Sequence, residues 1–151
     1  MNIALSDADY LNFVEFNITG DNDDFHRCDS ESRYLDTEVF NLIQSCFENA
    51  SKTYDYFAGT RYNSRTIIVL RNELTIILVS LQSIVSIDAF SAYIGSRFLG
   101  NDFLLSLEAK DADWRQHWQE YHGKIVQVLK DLIALVEKCA FEERILWVIG
   151  Y

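Results

Sequence analysis

Between Trp114 and Lys124 the chain reads WRQHWQEYHGK, its densest grouping of side chains able to do chemistry. Arg115 and His122 stand seven residues apart, two turns of a helix, so on a helix they share one face and could act on one substrate. His117 and His122 do not. Five residues apart, they diverge by about 140° around the axis, too far to hold one metal ion between them. His26 lies beside Cys28 and Asp29, but a lone cluster in a polar loop is ordinarily solvated, and no metal site is expected. Asp88 sits inside the most apolar stretch. It must face solvent, pair with a base such as Arg97 or Arg144, or occupy a pocket that raises its pKa. The paired structural role is the expectation, because a catalytic acid needs a partner group and the sequence nominates none. No glycine-rich phosphate loop, GxSxG or HExxH occurs, and no cofactor is expected.

An arginine and a histidine with six residues between them, as Arg115 and His122 have, resemble the signature of the HEPN-domain ribonucleases. That resemblance implies a small helical protein in which Arg115 and His122 act together on RNA across a homodimer interface. The charge of the chain argues the other way. Net charge is −10 over 151 residues, and it is unevenly placed. Residues 1–38 hold ten acids against two bases, a net −8, and residues 39–151 hold thirteen against eleven, a net −2. Such a field repels nucleic acid and anionic lipid and attracts basic partners. The carboxylates placed to meet a partner are Asp21, Asp23, Asp24, Asp29 and Glu31, in a polar run from Asn17 to Arg33 without periodicity.

The elements that must position these groups read as helices. Proline is absent and glycine occurs six times, fewer breaks than a sheet protein of this size usually needs for its turns. Ser64 to Leu99 is free of charge from Leu74 to Ile87 and predicts a long central helix, the most buried of the protein. Its serines, Gln82 and Asp88 argue against a membrane span, and a bend is expected near Ser86–Asp88. Val39, Phe40, Ile43, Cys46, Phe47, Ala50, Tyr54 and Phe57 recur at helical spacing, with Asp36 or Thr37 as cap and Gly59 as the stop. Thr60 to Asn63 then form a tight link into the central helix. Trp114, Trp118, Tyr121, Ile125, Val128, Leu129, Leu132, Leu135, Val136 and Cys139 trace one face of a last helix, where Gly123 offers room for another helix to cross. Near the N-terminus Val14, Phe16 and Ile18 alternate with Glu15, Asn17 and Thr19 as a strand would. With no second strand evident, a short helix opening on a Ser6–Asp9 capping box is expected.

The expectation is therefore an all-α fold, a single domain over residues 1–151. Three long antiparallel helices (about 36–58, 63–98 and 112–147) form a bundle, with short helices near the N-terminus and at 102–109. The acidic segment 1–38 packs onto that bundle. Three widely spaced cysteines and an N-terminus without a basic, then apolar, leader fit a cytoplasmic protein. A small acidic helical protein with no catalytic motif resembles the bacterial immunity proteins in size, charge and class. That resemblance implies an inhibitor of a basic toxin domain, such as a nuclease, acting as a binding protein rather than an enzyme.

Overall fold

The computed structural model describes residues 1–7 and 12–150. Asp9 of the expected Ser6–Asp9 capping box lies outside the described residues. The chain does not form an all-α bundle. It is an α+β fold, 50% helix and 12% strand, built on a four-stranded antiparallel sheet. The strands are β1 (Phe13–Asn17), β2 (Arg33–Asp36), β3 (Gly59–Tyr62) and β4 (Leu146–Ile149), in the spatial order β2-β1-β4-β3.

The alternation at the N-terminus is that of a real strand, and β1 finds partners on both sides. Val14 pairs with Leu35 of β2, and Phe16 pairs with Val148 of β4. Val14, Phe16, Leu35, Tyr62, Leu146 and Val148 are all buried, and together they make the apolar inner face of the sheet. Ser6 extends the outer edge of β2 by exchanging two backbone hydrogen bonds with Tyr34, at 2.9 and 2.8 Å.

Two of the three long helices expected are broken, and the third is shortened at both ends. The first becomes α1 (Thr37–Asn41) and α2 (Gln44–Ala50), after which the chain enters β3 rather than a tight link between helices. Asp36 is the cap, its side chain accepting the Glu38 N–H at 3.0 Å. The second becomes α3 (Thr66–Gln82) and α4 (Ile87–Gly95). The break falls at Ser83–Ser86, where the Ser86 hydroxyl accepts the Ala89 N–H at 3.2 Å and starts a new helix. The third is α6 (Trp118–Phe141), followed by β4. The short helix expected at 102–109 is present as α5 (Gly100–Lys110). Gly100 lets α4 and α5 meet closely, since a Cβ there would lie 1.8 Å from the Ile94 carbonyl oxygen. Gly123 has no such role: nothing lies within 4 Å of where its Cβ would be.

Buried residues on α3 are Ile67, Leu70, Leu74, Ile77 and Leu81, one face of the helix. Its opposite face is not buried: Ile76 and Val79 are 61% and 60% exposed. The apolar stretch read as a helix covered on most sides is thus a two-sided apolar helix with one side open. α3 packs chiefly against α6. Among the described residues no helix is long and apolar enough to cross a membrane. Cys46 and Cys139 are buried and Cys28 is exposed, all three unbridged.

Candidate functional site

The second face of the sheet organises the acidic loop. A strand that buries Val14 and Phe16 inward turns Glu15 and Asn17 outward, and outward-facing polar residues usually meet water. Here both are completely buried beneath residues 18–32. One Glu15 carboxylate oxygen accepts the Cys28 N–H at 2.8 Å and the Ser32 hydroxyl at 2.7 Å. Asn17 donates to the His26 carbonyl at 2.8 Å and accepts the Gly20 N–H at 2.9 Å. These bonds tie the loop backbone at Gly20, His26 and Cys28 to two buried side chains of β1.

An aromatic clamp completes the mounting. Trp147 of β4 stacks against Phe25, ring centroids 4.8 Å apart, and donates its indole N–H to the Asp21 carbonyl at 2.8 Å. Arg61 of β3 donates to the Asn22 carbonyl. Gly20 and Gly59 leave room for the clamp: a Cβ at Gly20 would stand 2.8 Å from Phe25 and Trp147, and one at Gly59 3.1 Å from the Phe25 ring. Phe25 thus anchors the loop onto the outer face of the sheet.

Fixed in this way, the loop presents Asp21, Asp23, Asp24 and Glu31 exposed and Asp29 half-exposed. Asp21 accepts the N–H groups of Asp23 (2.8 Å) and Asp24 (2.9 Å), which hold its carboxyl below the usual carboxylate range. Asp29 likewise accepts the Glu31 N–H at 2.9 Å. Glu31 shares its charge with Arg144, 3.4 Å away, and Arg144 is also held by Glu142 at 2.5 Å. Tyr34 lies under the loop, its hydroxyl pushed up to about 12, first by burial and then by Glu15. The outcome is a polar shelf with a set shape and a concentration of negative charge.

The Arg115–His122 pair is arranged differently. Arg115 falls in the turn before α6, exposed, with its guanidinium 5.0 Å over the Trp114 ring. His122 lies on α6, its Nε2 2.7 Å from the Leu81 carbonyl at the end of α3, and its ring makes a triangle with those of Phe90 and Trp118, centroids 5.7 to 5.8 Å apart. The two therefore do not stand on one continuous helical face, and His122 adds a second bond to a carbonyl in the last turn of α3 that already accepts the Ile84 N–H at 3.0 Å. Trp114 and Tyr121 are buried core residues, and Trp118 is half-buried. Asp88 faces solvent in the first turn of α4, where its charge suits the helix dipole, rather than pairing with Arg97 or Arg144. Arg97 instead binds the Leu42 carbonyl and the Ser45 hydroxyl. Among the described residues no group of three or more His, Cys, Asp or Glu side chains could hold a metal ion.

Spacing alone did not mark His117, which pairs through Nδ1 with Asp111 at 2.9 Å while Tyr121 donates to the same carboxylate oxygen at 2.9 Å. The bond from Asp111 raises the His117 pKa above its ordinary value, and the same bond lowers that of Asp111. The signs set a window. The histidine contribution to stability is complete below the ordinary imidazole pKa and is lost as pH rises through the raised value. The aspartate contribution is present above the ordinary carboxylate pKa and is lost on acidification. Replacing Asp111 by asparagine should return the His117 titration toward its ordinary value, read from its ring proton shifts by NMR. An unchanged titration would mean that the pair does not form in solution.

No known family model matches this chain, and no curated protein or solved structure matches it. The fold and the loop define it as an α+β protein with an anchored acidic face.

Proposed function

We propose that this chain is a binding protein that neutralises a basic partner, and more specifically an immunity-type inhibitor of a toxin domain such as a nuclease, acting in the cytoplasm. The observation that supports this reading is the mounting of the acidic loop. Five carboxylates of one sign stand on a shelf tied to the sheet by Glu15, Asn17, Phe25 and Trp147. A loop whose only task is solubility needs no fixed shape, whereas a recognition surface gains affinity when its shape is set before the encounter. The charge supplies a field that speeds association and rejects partners of like sign.

The test is Asp21→Asn, Asp23→Asn, Asp24→Asn, Asp29→Asn and Glu31→Gln together. Asparagine keeps the Oδ1 acceptor that Asp21, Asp24 and Asp29 offer to loop N–H groups, so the shelf should hold its shape while losing charge. Partner binding should weaken at least tenfold, mainly through slower association, as steering is worth a factor of about 10 or more. The difference should shrink as salt rises, since charges are screened beyond about 8 Å at physiological ionic strength. Binding that is unchanged at low salt would reduce the loop to a solubility device.

A further inference from the structure

A cleft of about 590 Å³ opens between the start of α3 and the end of α6. A neighbouring hollow of about 540 Å³ runs from it to Asp21 and Gly20, so the two form a groove continuous with the acidic loop. Such volumes suit a large side chain or a small ligand. Ile68, Ala140 and Ile145 supply apolar lining, and Glu143 and Arg144 line both hollows.

The charges of the groove are unequal in availability. Arg144 is already matched by Glu31 and Glu142. The Glu143 carboxylate is exposed, and among the described residues no hydrogen bond or ion pair engages it. Glu143 also occupies the position that closes the end of α6, with φ 55° and the next N–H, from Arg144, bonded to the Cys139 carbonyl at 2.9 Å. Glycine is the usual residue there. With glutamate in its place, a free carboxylate joins a lining in which Ile67, Ile68, Ala140 and Ile145 alternate with Asn22, Asn63, Ser64 and Arg65.

The geometry points to this cleft as the seat for one long basic side chain, an arginine or lysine, of the partner that the acidic loop attracts. The inference rests on the acidic-face reading above and gives it an anchor. The methylene stem would lie over Ile68, Ala140 and Ile145 and the cationic head would meet Glu143, the arrangement in which long basic side chains bury their stems. A central pocket filled by one such residue is where interface affinity concentrates. Arg65, exposed at the α3 rim, is the one unmatched base lining this cleft among the described residues, and its repulsion makes the sign of the ligand testable.

The experiment is a titration of the protein with N-acetyl-argininamide, followed by methyl and amide NMR, with N-acetylglutamate as the anionic contrast. The cationic probe should give saturable shifts at Ile68, Ala140 and Ile145. Glu143→Gln should weaken it about fivefold and Arg65→Gln should tighten it about twofold, the scale of single exposed charge pairs. Binding of the glutamate probe at these residues, lost in Arg65→Gln, would overturn the inference in favour of an anion site. Shifts of the cationic probe confined to residues 21–31 would overturn it too, while leaving the acidic-face reading standing. Failure of the acidic-face reading is a separate result, seen when the loop-neutralised protein binds its partner unchanged.

Discussion

Replacing Phe16 by alanine should destabilise the protein by about 3–5 kcal/mol, the range for emptying a large aromatic site in a core. Phe16 is fully buried on β1, an interior strand of the sheet. Its ring lies 6.3 Å from that of Phe40 and 5.9 Å from that of Phe47, so it joins the sheet to α1 and α2. Phe47 in turn meets Tyr62 at 5.9 Å, and the Tyr62 hydroxyl donates to the Phe47 carbonyl at 2.9 Å. Few of these neighbours can move into the space without giving up their own contacts. Denaturant unfolding at constant m-value measures the loss. Total stability of a domain is about 5–15 kcal/mol, so the variant should unfold at visibly lower denaturant. If residue 16 lay in a short helix at the periphery, the cost would fall below about 1 kcal/mol, and the sheet described here would be wrong.

That contrast shows where the sequence could and could not be read. The alternation of Val14, Phe16 and Ile18 with Glu15 and Asn17 is a strand signal, and it is correct for β1. Its partners were hidden by distance along the chain. β2 follows after a loop of irregular, acidic sequence, and β4 lies some 130 residues further on. A helix carries its hydrogen bonds within its own segment, whereas a strand four or five residues long depends on segments that no local pattern announces. The scarcity of glycine and proline argued for helices because it presumed that strands are joined by tight turns. In this sheet β1, β2, β3 and β4 are joined by the acidic loop and by helices, so few such turns are needed. The amphipathic stripe of α6 and the existence of α5 were legible, as their signals are local. The beginning of α6 was not. Asp111 and Asp113 form turns that delay the helix to Trp118, which takes Arg115 off the face His122 occupies. Of the acidic site, the charge was legible from composition. Its mounting was not, because the indole that holds Asp21 belongs to a strand 126 residues away.

Glu15→Leu should cost about 2–5 kcal/mol and should also release the acidic shelf from the sheet. Leucine matches the apolar character of a buried strand position, so composition alone would rate the change as harmless or stabilising. The cost comes from what it leaves behind. The Cys28 N–H and the Ser32 hydroxyl both end on one Glu15 oxygen, and Ser32 and Glu15 are both buried while the loop stays closed. Each buried donor left without an acceptor costs about 1–3 kcal/mol. The protein can lower that cost by opening residues 18–32 to solvent, so the loss should divide between global stability and local opening. Hydrogen exchange at the Cys28 amide reports the local part, and denaturant unfolding reports the whole. Glu15→Gln keeps an oxygen for both donors and should lose less than about 1.5 kcal/mol. For the proposed inhibitor the functional consequence differs from that of neutralising the loop. Glu15→Leu leaves all five loop carboxylates in place, so long-range steering should persist while the complex dissociates faster from a shelf that no longer holds its shape. Slow exchange at Cys28 in the Glu15→Leu protein would show that the loop keeps its place without this carboxylate, and that the buried acid is not what mounts it.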